Sequence, residues 1–543
     1  MSIRTWQSVA KTAAALSLLA GMSLQASPML HAQTAHASGT LIIDFKDDIS
    51  SLDTGRCYDT ECYPFMKVLY DRLLDYDTSK GAGNDLIPEA AVAMPTLSNG
   101  GRTYIFKLRN DVHFWNGRLA TSADWVYSFE RIIDPKTQAG AASFWFGIVG
   151  ANDFKNGKAK HVSGIKALGQ FGLEIDLVDP DPTFLNVLAM PFGSVVDRNQ
   201  IAKYGKSYAT QHPMGTGPYV FSQHILGQKM ILTKNPHYFN PSVGHVAAIE
   251  ADFGVTTDVS LLRVEKGQAD MDGDFPNPLP QAEFLNVLND PVLGKRIVKQ
   301  QQVATEYIAM NVQVKPFDNL KVRQAVEMAI NKPLLARLVN GRGTPTDTFI
   351  PPLMPGYGKF SLYSNNIDAA KKLLADAGFP NGFSTTFYSD DTTDDPRISQ
   401  AIVQQLAQIG INAQLKVLNA NTMFTLWGTK GKVPISWAGW YQDFPDPNDF
   451  FEPILSCASA VPGTFNEPWY CNPKVDVFAH SLKIMTDRAA RLAKYVQLDK
   501  MMMQDAPVVP VLNPVFFSLP SAALHNYYLR SPWTNDFAYI SKS

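Results

Sequence analysis

The sequence predicts a mixed α/β fold of two or three domains, and three observations carry the prediction. The chain has 543 residues, more than a single hydrophobic core organises, so it should divide. Short apolar strands alternate with amphipathic helical stretches, and no internal repeat interrupts them. In the middle of the chain a helix gives way to a strand across one glycine, the pattern of α-to-β units packed on a sheet. No low-complexity linker appears, so short crossings rather than a tether should join the domains.

Taken in order, the first element is a leader. Arg4 and Lys11 precede the apolar run from Thr12 to Leu24, and Ala35-His36-Ala37 offers small residues for cleavage. Residues 1–37 therefore read as a secretory signal peptide, too short to span a membrane. The first cysteine is Cys57, which argues against a lipid anchor at the cleavage site. No later run reaches about 18 uninterrupted apolar residues. The mature chain is expected to be soluble, exported, and periplasmic or otherwise extracytoplasmic. Removing 37 residues leaves 506 and moves the formal charge from −2 to −4, since that piece holds two cations and no acids. Near-neutral charge without basic runs argues against nucleic acid or an acidic membrane surface as partner.

Leu41 to Phe45 reads as a buried strand and Tyr104 to Arg109 as a half-exposed one. Thr121 with Asp124 forms a capping arrangement for a helix through Trp125, Val126, Phe129 and Ile132, which Asp134-Pro135 ends. Further along, Asp318 is placed to cap a helix running to Ile330. Asn366 caps another that stops at Gly378, and a third runs from Pro396 to Ile409 and stops at Gly410. The strand Ile411 to Val417 follows at once.

The four cysteines form two close pairs, Cys57/Cys62 and Cys457/Cys471. In an exported chain such pairs read as disulfides. Closing the second loop, of about fifteen residues, would contribute about 3 kcal/mol. The rival reading, a zinc site of four thiols, lacks the usual metal spacing.

There is no Gly-x-Ser-x-Gly elbow, no His-Glu-x-x-His helix and no phosphate loop; Asn156-Gly157-Lys158-Ala159 lacks the upstream glycine and the following Ser or Thr. His212, His224, His237 and His245 share no helix face and read as ordinary histidines. No catalytic residue, cofactor or metal is assigned.

The chemistry concentrates instead at residues 440–449. Trp440, Tyr441 and Phe444 surround Asp443, and Pro445 and Pro447 stiffen the backbone behind it. A carboxylate among aromatic faces suits an amine, through charge and cation–π attraction. Pro-Asp-Pro-Asn is equally ordinary turn chemistry, so an acidic surface turn is the plain alternative.

Four blocks in sequence order resemble one family, the extracytoplasmic solute-binding proteins of ABC importers that take peptides, dipeptides and nickel chelates (family 5). They are Val68 to Leu74; Leu86 to Ala91 with Tyr104 to Gly117; Gly215-Thr216-Gly217-Pro218-Tyr219 with Lys234 to Phe239; and Asn311 with Pro316-Phe317-Asp318, Val322 to Ala325 and Ala329 to Lys332. The glycine block reads as a tight turn needing permissive φ before a rigid proline. Most of these blocks read as scaffold. Dipeptide-binding members also look similar through Gly439 to Asp443, where the aspartate holds the ligand's α-amine, and around Cys457 and Cys471, which are bridged there.

The resemblance implies a two-lobed periplasmic-binding-protein fold (type II, cluster C) with an extra subdomain. The first lobe would comprise 38–84, 191–302 and 506–543, extended by a subdomain at 85–190, with 303–505 as the second lobe and hinges near 302 and 506. A peptide or similar amine-bearing solute would bind between the lobes of a monomer and pass to permease and ATPase subunits. Asp443 would anchor the amine, lined by Trp440, Tyr441 and Phe444, with Arg56 and Tyr58 contributed by the first lobe.

One departure matters. Dipeptide-binding members place an arginine for the ligand's carboxylate where this chain reads Ser389-Asp390-Asp391-Thr392-Thr393-Asp394-Asp395-Pro396-Arg397. The arginine's place falls at Asp390, and Arg397 substitutes only if the loop is rearranged. Asp390, Asp391 and Arg397 therefore form a candidate specificity loop, which, if it faces the cleft, favours a longer or amidated peptide or another amine; a solvated acidic turn with a helix cap at Asp395 is the plain alternative. The rival functions are an exported α/β hydrolase or amidase and a solute-binding sensor subunit of the same fold.

Overall fold

The structure, a computed structural model, describes residues 39–543 apart from 59–60, 78–84, 275–277, 393 and 530–534. The expected leader at 1–37 lies outside the described residues. Among the described residues no helix is long and apolar enough to cross a membrane.

Two main sheets organise the rest. One has five strands in the order Met271–Asp272, Thr40–Phe45, Ala248–Phe253, Lys229–Lys234 and Tyr219–Ile225. Its first three strands are parallel and the others antiparallel. The other has seven, in the order Val298–Gln301, Val508–Ser518, Ala304–Met310, Ile435–Tyr441, Phe383–Asp390 and Ile411–Leu418, with Gly343–Pro345 paired to Val508–Ser518. A four-stranded antiparallel sheet, built from strands between Thr96 and Asp176, stands beside the first.

Separate cores lie on the two main sheets. Leu41, Phe65, Leu69, Leu232 and Ile249 belong to one; Tyr307, Trp440, Phe450 and Tyr495 belong to another. Tyr527, Leu529, Phe537, Ala538 and Ile540 return to the first core, where Phe537 packs on Phe65 with ring centroids 5.3 Å apart. The strand Val508–Ser518 is buried throughout and lies second from one edge of the seven-stranded sheet. Its first half pairs with Ala304–Met310 and its second with Val298–Gln301. The sequence-based crossing points at 302 and 506 border these strands.

Local signals read from the sequence are used as expected at several places. Thr121 and Asp124 form a reciprocal capping box on the helix Ser122–Ile133. Asn366 accepts from the Ala369 N–H at the head of Ile367–Asp376. Gly378 and Gly410 carry the positive φ of helix-terminating glycines. The helix Asp395–Ala407 joins the parallel strands Phe383–Asp390 and Ile411–Leu418 as a β-α-β unit. One cap differs. Asn319, not Asp318, accepts from the Lys321 N–H at the helix Leu320–Ala329, and either residue type suits that position.

The reason for Gly215 and Gly217 also differs from the sequence reading, because neither has a positive φ. They are needed for close approach: a Cβ at Gly215 would sit 1.8 Å from the Leu69 carbonyl oxygen, and one at Gly217 would sit 2.5 Å from that of Val68. Both cysteine pairs are bonded, Cys57 to Cys62 and Cys457 to Cys471.

Candidate functional site

The segment 440–449 begins on the last two residues of the central strand Ile435–Tyr441 and, Tyr441 apart, is buried rather than a surface turn. Asp443, Asp446 and Asp449 are 7%, 4% and 0% exposed. Each acid has a separate task. Asp446 caps the short helical turn Pro447–Phe450 through the Asn448 N–H and pairs two-pronged with Arg491, one arm at 2.9 Å. Asp449 accepts from the Asp443 backbone N–H at 2.8 Å and from Trp440 Nε1 at 3.4 Å. Asp443 thus has its backbone tied down while its side chain faces the other half of the chain.

There the Tyr58 hydroxyl donates to Asp443 Oδ2 at 2.5 Å. Burial pushes the Asp443 carboxyl up to about 7, against the Tyr58 hydrogen bond, which lowers it. Burial also raises Asp449 well above the usual range, reinforced by the Asp443 charge. Tyr58 is held edge-on between Phe192 and Phe465, at centroid distances of 4.9 and 5.4 Å. Two further contacts bring the halves together nearby. Phe444 meets Phe144 at 5.9 Å, and Lys483 reaches both Glu452 at 2.7 Å and Asp181 at 3.5 Å.

Of the aromatic residues expected around Asp443, Trp440 packs on Phe465 at 5.9 Å and Phe444 joins the first core. Tyr441 points elsewhere. Its hydroxyl donates to Glu306 at 2.9 Å, and its ring lies 5.8 Å from Phe516. Arg56 is not brought to Asp443 by any contact. It is exposed, donates from Nε to the Thr137 carbonyl, and lines a separate cavity of about 550 Å³ with Arg131 and Asp53. Although only two residues from Tyr58, it faces another direction.

The acidic loop forms a second feature. Asp390 ends its strand and accepts from the Thr392 N–H, and Asp391 is exposed. The turn is not wholly solvated, and the helix starts one residue earlier than a cap at Asp395 would give: Asp394 is buried and paired with Arg342 and with Arg397, each at 2.9 Å. Arg397 is therefore already committed. Burial raises Asp395 well above the usual range, and the charges on Asp390 and Glu306 add to it. Burial likewise pushes Glu306 up to about 7 while its Tyr441 hydrogen bond lowers it; Asp394 and Asp390 raise it further. Glu306, Asp390 and Asp395 thus form an acidic wall beside Tyr441. Among the described residues no group of three or more His, Cys, Asp or Glu is arranged to hold a metal ion.

Sequence reasoning missed Phe144, Phe192, Phe465, Glu306 and the role of Asp449. Only Asp449 carried a visible signal, as the last residue of the Pro-Asp-Pro-Asn-Asp run.

The model for bacterial extracellular solute-binding proteins, family 5, middle region, matches residues 85–461. Among curated relatives, the glutathione-binding protein of Shigella dysenteriae is 27% identical over 506 residues, covering 92% of this chain and 94% of its own. Its counterpart in Escherichia coli K12 is 26% identical with the same coverage. Among solved structures, the periplasmic binding protein DppA of Helicobacter pylori, in complex with the peptide STSA, superposes with a TM-score of 0.81 at 24% identity, covering 93% of this chain and 98% of its own. The murein tripeptide binding protein of Escherichia coli superposes at 0.79 and 24% identity, covering 93% and 99%. These likenesses show a two-lobed periplasmic-binding-protein fold.

Proposed function

The chain belongs to the bacterial extracellular solute-binding proteins of family 5, and from that premise we propose that it captures a peptide or similar amine-bearing solute between its lobes and hands it to the permease and ATPase subunits of an ABC importer. The observation that carries this reading is Asp443, a buried carboxyl reached across the cleft by Tyr58 and, among the described residues, paired with no cation. A buried carboxylate without a cationic partner is costly, and a ligand ammonium supplies one. Lobe boundaries at 38–84, 191–302 and 506–543 against 303–505, with 85–190 as the extra subdomain, fit this reading, with the strand Val508–Ser518 as the second crossing. Domain closure around a ligand is the expected motion. Native mass spectrometry of the purified protein should find an amine-bearing solute that is released intact on denaturation. Recovery of cleaved products instead would favour an exported hydrolase.

The acidic wall narrows the ligand. Glutathione, named for the relatives above, carries one amine and two carboxylates. The anchor suits its amine, but Glu306, Asp390 and Asp395 offer no cation to a second carboxylate, and Arg397 is engaged by Asp394. Ligands whose far end is amidated or cationic are favoured. Calorimetry should find an amidated dipeptide bound about tenfold more tightly than its free acid, a difference of about 1.4 kcal/mol. Tighter binding of the free acid would remove the wall from the specificity argument.

A further inference from the structure

We propose that Tyr58 is a positioning residue that completes the amine site from the first lobe: its hydroxyl holds Asp443 Oδ2 across the cleft and leaves Oδ1 for the ligand's ammonium. This rests on Asp443 being the amine anchor. A carboxylate has acceptor capacity for several donors, and one phenol uses only part of it. Among the described residues Oδ1 accepts no hydrogen bond, while Oδ2 takes Tyr58 at 2.5 Å. The ligand and Tyr58 therefore share the carboxylate rather than compete for it, and anchor and closure are coupled through one side chain.

The mount of Tyr58 suits that task. It lies inside the short loop that the Cys57–Cys62 bond closes, and both sulfur-bearing residues are fully buried. Phe192 from the first half and Phe465 from the second clamp its ring edge-on. On the side of Gly140 there is no slack, since a Cβ there would meet the Tyr58 ring at 2.9 Å. Tyr58 stays protonated, because burial and then the Asp443 charge hold it well above its ordinary value, so it remains a donor. The other ionisable groups facing Asp443 are Asp449, on the turn behind it, and Tyr76, from the strand Leu74–Tyr76. Asp446 belongs to the same turn but is neutralised by Arg491. Tyr58 is thus the group that favours the ionised anchor.

The decisive variant is Tyr58→Phe, which keeps the ring and deletes the donor. Carbon-13 NMR titration of the empty protein follows the Asp443 carboxyl, assigned by its disappearance in Asp443→Asn. The expected result is a midpoint at higher pH in Tyr58→Phe than in the parent, because the lost hydrogen bond favoured the ionised form. In parallel, affinity for alanyl-alanine amide should fall about tenfold through faster dissociation, with its low-pH limb displaced upward. An unmoved or lowered midpoint overturns the proposal, and so does affinity that rises, as it would if Tyr58 were a stand-in for the ligand. Should the probe not bind the parent, the midpoint alone decides. Failure of the anchor reading shows separately, as undiminished binding by Asp443→Asn.

Discussion

Asp443→Ala is expected to weaken binding of an amine-bearing ligand by several hundredfold or more while leaving the empty protein as stable as the parent at pH 8. The first half follows from leaving a ligand ammonium buried without its carboxylate, which costs about 3–5 kcal/mol, or roughly two to three and a half decades of affinity. The second follows from linkage. The Asp443 carboxyl titrates near 7 in the fold against an ordinary 3.8. Between those values the folded state binds more protons than the unfolded one, so this group lowers stability as pH rises through that window. Above pH 7 the whole penalty is present, and alanine removes it. What alanine loses is the Tyr58 hydrogen bond, worth about 1.5–3 kcal/mol when one partner is charged. Melting curves should therefore show the variant gaining on the parent from pH 4 to pH 8. Undiminished binding would sink the anchor, and a large loss of stability at pH 8 would make Asp443 a structural residue.

What could be read in the sequence was local. The Thr121–Asp124 box, the Asn366 cap and the terminal glycines at 378 and 410 each depend on residues within one turn, so a single window contains the whole cause. The carboxylate among aromatics at 440–444, on which the proposed amine site rests, is visible for the same reason. The partner of Asp443 was harder, because Tyr58 is 385 residues away. It was named only as a first-lobe candidate beside Arg56. Nothing in the pattern says that these two side chains diverge, since their directions are set by the disulfide-closed loop and by the Thr137 carbonyl that takes Arg56. The acidic loop shows the same limit. The run reads as a solvated acidic turn until Arg342, 52 residues upstream, pairs with Asp394. Phe192 and Phe465 had no signal, because an aromatic that clamps another aromatic far away in the chain looks in sequence like any core residue.

The motif that the sequence identified for the wrong reason gives the largest expected effect on folding. Gly215→Ala should leave little or no folded protein, and Gly147→Ala should leave the melting temperature unchanged. Both glycines have backbone angles open to alanine, so conformational freedom does not separate them. Space does. Around Gly147 nothing lies within 4 Å, whereas the new methyl at 215 meets the Leu69 oxygen at 1.8 Å and Leu69 C and Trp115 Cζ2 at 2.8 Å. Two of those atoms are backbone at the end of the fully buried helix Tyr63–Leu69, so no side-chain rotation relieves the clash. Ordinary overpacking costs about 1–3 kcal/mol; a backbone collision of this depth should exceed the roughly 5–15 kcal/mol that holds a domain together once neighbouring contacts are counted. Those contacts are specific. Gly217 N–H donates to the Leu69 carbonyl at 3.0 Å, the Asp71 N–H donates to Thr216 Oγ1 at 3.1 Å, and the Trp115 N–H donates to the Gly215 carbonyl at 3.1 Å. The glycine turn is therefore the seat on which the helix Tyr63–Leu69 rests, and the loop entering that helix carries Tyr58. A Gly215→Ala protein that melts within about 2 °C of the parent, a shift of under about 1 kcal/mol, would show that the helix end can yield. The position of Tyr58 would then have to be fixed by its disulfide and its aromatic clamp alone.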